Sequence, residues 1–154
     1  MRSRDDSVDH PAAVEHALRT GVVGVGGRLD PPAPLDLDDA VDRVASAHDE
    51  RTAARLRRFA GWPTGSFVWT RDGDGETWLG RIEGPWRHDG SEAATAADLQ
   101  HVRHCRWLEQ PVPWSDVPAG VRATFERGGR NLQRIHDTHA EASTADLWDR
   151  RGPH

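Results

Sequence analysis

Residues 67–86, FVWTRDGDGETWLGRIEGPW, change the rhythm of the chain from a helical period to a period of two. Residues 66–70 (SFVWT) read as a strand, 72–75 (DGDG) as a tight turn and 76–84 (ETWLGRIEG) as the returning strand. Asp-Gly twice over is a strong turn signal, because glycine reaches the positive φ that a hairpin loop needs. Trp78, Gly80 and Ile82 then share one face of the return strand, and Leu79, Arg81 and Glu83 the other. Three of the seven tryptophans fall within these twenty residues, in a chain with no tyrosine. They are either the core of a small β domain or the walls of a pocket for a flat ligand.

Downstream, the small residues 90–97 (GSEAATAA) read as a loop and 98–109 (DLQHVRHCRWLE) as the next strand. Leu99, His101, Arg103, Cys105 and Trp107 line one face of it; Val102, His104, Arg106 and Leu108 line the other. Pro111 and Pro113 predict a loop, and 117–128 a short helix closed by Gly128 and Gly129. Residues 131–137 (NLQRIHD) predict a last strand.

Upstream, His10 to Arg19 predicts a helix with Asp9 as its cap, and Gly21 to Gly27 (GVVGVGG) a strand ended by glycines. Three prolines make 30–36 (DPPAPLD) a loop. Asp36 or Asp38 then opens a helix that runs to about Phe59 and breaks near Asp49. The expected organisation is a partly disordered or helical segment (1–20), one α+β domain (21–137) and a polar C-terminal tail (138–154). Without regular alternation of strand and helix, a doubly wound parallel sheet is not expected.

All twenty basic residues are Arg, as a GC-rich genome would produce. Residues 1–50 hold five Arg against eleven Asp and Glu, whereas 51–137 hold thirteen against eleven. The acidic excess thus sits in the first third, and the Trp-rich part is slightly basic. A single cysteine, Cys105, excludes an intramolecular disulfide. The opening MRSRDDSVDH has no apolar stretch of a secretion signal, and no run is long enough for a membrane helix. The expectation is a cytoplasmic protein without membrane contact.

Several motifs fail on their spacing. The glycines of 21–27 lack the G-x-G-x-x-G pattern: from Gly24 and Gly26 the third place is Leu29. No cofactor is therefore expected. Asp72, Asp74, Glu76 and Glu83 mimic a calcium loop, but its sixth place is Thr77 instead of Gly. His101 and Cys105 point away from His104 on a strand, so the three cannot share a zinc ion, and no metal is expected. No nucleophile elbow or paired carboxylates are present, and the chain does not read as an enzyme.

Taken in order, GVVGVGG, the helix ending RRF, GSFVWTRDGDGETWLGRIEGPW, HVRHCRWL, VPAGVRATFERGG and NLQRI resemble the EVE-like branch of the PUA-like superfamily across about 21–137. The resemblance implies a small β-barrel of about five strands with flanking helices. It further implies a non-catalytic reader that holds a modified or flipped-out nucleobase in an aromatic pocket, as at the N-terminus of bacterial modification-dependent restriction proteins. Where the family often carries an aromatic in its first strand, this chain has Val25, Gly26 and Gly27. The implied partners are DNA with a modified base, or RNA, and a separate nuclease or effector protein in a restriction or phage-defence setting.

Stacking a base on an indole contributes about 1–3 kcal/mol, against a few kcal/mol to flip it from a duplex. Trp78 and Trp107 alternate with core residues, and Trp62 sits at a helix-to-strand junction. Trp86 leaves its strand after Gly84 and Pro85 and precedes Arg87 and His88. The expected base pocket is Trp86, Trp69, His88 and Gln133; the expected phosphate contacts are Arg81, Arg87, Arg103, Arg106 and Arg134. An RNA-binding PUA-like domain and a regulatory protein-interaction subunit remain the alternatives.

Overall fold

The computed structural model describes residues 10–127, 133–134 and 138–152. Its centre is the hairpin: β2 (Phe67–Arg71) pairs antiparallel with β3 (Thr77–His88), from Phe67 opposite Arg81 to Arg71 opposite Thr77. The turn is built on one carboxylate. Asp72 Oδ1 accepts from the backbone N–H of Asp74 and Glu76 (2.9 Å each), and Oδ2 accepts from Trp78 Nε1 (2.9 Å). Gly75 supplies the positive φ, +83°. Trp78 is thereby half-buried over the turn and stays out of the core.

Around the hairpin lies an antiparallel sheet of order β1-β4-β3-β2-β5, with β1 Val22–Val25, β4 His101–Trp107 and β5 Gln133–Arg134. Four main strands curl into a half-barrel, and the two-residue β5 extends it. Six helices flank it: α1 (His10–Thr20), α2 (Leu37–Ala47), α3 (Glu50–Gly61), α4 (Glu92–Ala96), α5 (Ala119–Glu126) and α6 (Thr138–Arg151). The fold is mixed α+β. No described helix is long and apolar enough to cross a membrane.

The break near Asp49 is real and has a local cause. Asp36 caps α2 by accepting from Asp39 N, and Asp49 caps α3 by accepting from Thr52 N. Each helix turns an apolar stripe inward, through Val41 and Val44 and through Leu56 and Phe59. These stripes, α1 and one face of the sheet (Val23, Val68, Ile82, Cys105) form a first core. A second core gathers Trp69, Leu79 and Leu108 with Val121 and Phe125 of α5 and Leu147 and Trp148 of α6.

Three elements differ from the sequence reading. The expected loop at 90–97 contains α4, capped by Ser91. The expected polar tail forms α6, a helix of 14 residues that seals the second core. The expected strand end at Gly84–Pro85 is a bulge: the β3–β4 register shifts between Ile82 and Trp86, and pairing resumes to His88. The extra residues take up the proline, which has no N–H to give the ladder. The end of α5 at Gly128 and Gly129 and most of the last strand lie outside the described residues.

Candidate nucleic-acid interface

Register sorts the expected site residues onto two faces of the sheet. Ile82 pairs with Cys105, Trp86 with Arg103 and His88 with His101, so these side chains share the face of the first core. Arg81 pairs with Arg106 and Arg87 with Val102, on the opposite face.

On the first face, Trp86 is half-buried and locked in place. Its Nε1–H donates to His101 Nδ1 (3.3 Å), and the two rings lie nearly parallel, at 20° and 6.2 Å between centroids. His101 is fully buried, and its Nε2 contacts Gly27 O at 2.8 Å. Because Nδ1 accepts from the indole, Nε2 carries the proton and donates to Gly27. Burial draws the His101 pKa down to about 4, so the ring is neutral. His88 stands edge-on to His101 at 5.9 Å, and its Nε2 has no hydrogen-bond partner among the described residues.

Arg103 shares this face but is not a phosphate contact. It is 2% exposed. Its Nε donates to Gly84 O (2.8 Å), and Nη1 donates to Phe59 O (3.1 Å) and Trp62 O (2.6 Å). The guanidinium joins the β3 bulge to the carbonyls at the end of α3, where a cation also meets the negative end of the helix dipole. The periodicity placed Arg103 on the core face with His101 and Cys105, and that was the available signal for a structural role.

Trp69 is likewise no pocket wall. It has no exposed surface, lies in the second core and donates from Nε1 to Thr144 Oγ1 on α6 (3.4 Å). Gln133 and Arg134 pair through their backbones with Trp69 and Val68. Their side chains lie outside the described residues.

The opposite face is open in the middle of the sheet. Arg106 and His104 are exposed, and the Arg81 side chain is 42% exposed. Arg81 and Arg106 stand directly across from each other, a like-charge pair that costs stability. Glu83 forms an ion pair with Arg81 Nε at 3.7 Å, beyond hydrogen-bond distance, and offsets part of that cost. Arg87, also exposed, extends the row beyond the bulge. The structure thus brings Trp86 together with His88, and Arg81 together with Arg106, but on different faces.

The remaining chemistry-bearing groups are quiet. Cys105 is buried, and burial pushes its thiol pKa up, which favours the protonated sulfur. His104 points to solvent, away from His101 and Cys105. Trp107 donates to Val22 O (3.0 Å), and Trp62 packs edge-on against Phe59 at 5.5 Å; both serve the first core. The sequence reading passed over Trp114, which lies in a 3₁₀ turn (Trp114–Asp116) under the guanidinium of Arg71, 4.9 Å from its ring centroid. Its position between two proline-bounded segments was the only sequence signal.

No family model, curated protein or solved structure matches this chain.

Proposed function

We propose that this chain is a non-catalytic nucleic-acid reader on a PUA-like half-barrel, with phosphates on the Arg81–Arg106 face and a base turned over the end of β3 that β2 leaves unpaired, onto Trp86 on the other face. The observation that carries the reading is the arginine pair. Two guanidinium groups held opposite each other on an open sheet face are costly alone and favourable once an anion lies between them. Arg87 extends the row past the bulge, next to Trp86 in sequence. Trp86 supplies what a phosphate binder does not need: a half-buried indole whose orientation is fixed before any ligand arrives. A fixed ring loses little freedom when a base stacks on it.

The resemblance supplies the finer part of the proposal: a modified or flipped-out base as the ligand, and a separate nuclease or effector as the partner in a restriction setting. Anisotropy titrations with labelled plain and cytosine-methylated oligonucleotides, single- and double-stranded, deoxy and ribo, test it. Binding at low salt is expected, weakened about tenfold by Trp86→Ala and less by Trp86→Phe, which keeps a ring. Circular dichroism checks that both variants remain folded. If no oligonucleotide binds at low salt, the reading is wrong.

A further inference from the structure

A cleft of about 310 Å³ opens between the β2–β3 turn and the segment that follows β4, lined among others by Arg71, Glu76, Pro111, Val112, Pro113 and Trp114. That volume is at the lower end for small-molecule sites and suits one ring system. The walls are fixed. Val112 N donates to Thr77 O (2.7 Å), which ties the proline segment to the sheet.

Arg71 lines the cleft. Its guanidinium lies over Trp114 and within 5.8 Å of the Phe125 ring centroid, and Nη2 donates to Gly75 O (3.2 Å). No carboxylate pairs with it among the described residues; the neighbouring Asp72 accepts instead from two backbone N–H groups and the Trp78 indole. Arg71 Nε has no acceptor there either. Glu76, on the same cleft, is exposed and makes no side-chain hydrogen bond or ion pair among the described residues. One cleft therefore offers a guanidinium with no carboxylate partner among the described residues, an exposed carboxylate, and walls of proline and tryptophan.

We infer that this cleft binds a guanine base. Guanine presents O6 and N7 as acceptors, which suit a guanidinium. Its N1–H and N2–H₂ donors sit side by side, as a carboxylate with two oxygens requires. Adenine and cytosine offer a carboxylate one amino group, and uracil a single ring N–H. The site is separate from the Trp86 platform, so either can fail alone.

The test is a ¹H–¹⁵N titration of the full chain with guanosine, adenosine, cytidine, uridine and inorganic phosphate, the indole resonances being assigned by Trp114→Phe and Trp86→Phe. Guanosine is expected to shift the Trp114 indole and leave the Trp86 indole in place, with other nucleosides at least tenfold weaker. Glu76→Gln, at an exposed position, should weaken guanosine about tenfold with an otherwise unchanged spectrum. The inference is overturned if guanosine shifts nothing, if all nucleosides or phosphate act equally, or if Glu76→Gln binds as well as the parent. Oligonucleotide binding that survives such an outcome leaves the reader standing without this cleft.

Discussion

His101 decides how the residue scale responds to pH. Its pKa is about 4 in the fold, against about 6.5 in an unfolded chain. Above neutral pH both states are unprotonated and the group adds no pH dependence. As pH falls from about 6.5 towards 4, the unfolded chain takes up a proton that the buried ring refuses. Stability then declines, by about 2 kcal/mol at pH 5 and about 3 kcal/mol by pH 4. Burial lowers the His16 pKa too, and adds a loss of the same sign. Urea unfolding at pH 7 and pH 5 checks this. His101→Gln keeps an acceptor for Trp86 and a donor for Gly27, and should lose most of the pH 5 decline. Arg103 makes a second prediction. Arg103→Met strands the carbonyls of Gly84 and Trp62 and leaves Phe59 O only the Trp62 N–H, and should cost about 2–4 kcal/mol by the same measurement. Alternation puts Arg103 and Arg106 on opposite strand faces, although both are expected as phosphate contacts. It could not tell which faces another element covers, and so Trp69 was read as a candidate wall although α6 seals it.

At the scale of elements, what was legible is what local chemistry dictates. The Asp-Gly turn, the alternating strands and the aspartate that opens α2 all depend on neighbours within a few residues. Helix α6 does not. Among its described side chains it buries Ala140, Thr144, Leu147 and Trp148, too few apolar residues to announce a helix, and its reason to form is the Trp69 surface far away in sequence. Trp148→Ala should therefore cost about 3–5 kcal/mol, and proteolysis should cut first within 138–152. The β3–β4 pairing carries its own test. A Cβ on Gly80 would meet Cys105 Sγ and the Trp107 ring at 2.6 Å, closer than real contacts come. Gly80→Ala should lower stability by about 1–3 kcal/mol, read as a lower denaturation midpoint. Gly84 and Pro85 predict a strand end because proline has no N–H for the ladder; here the Arg103 guanidinium holds Gly84 O and pairing resumes beyond it.

For the whole molecule, the account rests on charge placement rather than total charge. The chain is acidic overall, at −5, and its arginine row lies on one open sheet face. Long-range attraction for nucleic acid is therefore weak, and binding depends on local contacts within a Debye length of about 10 Å. That distinguishes it from a basic protein that coats any polyanion. The most direct measurement is the slope of log K against log salt for an oligonucleotide, taken for the parent and for the Arg81→Ala, Arg106→Ala double variant. The account predicts that the parent binds with a negative slope of about 0.7 per phosphate engaged on a single strand, and that the double variant loses about one to two units of it at unchanged fold. A parent that does not bind, or a double variant with the parent's slope, would contradict it.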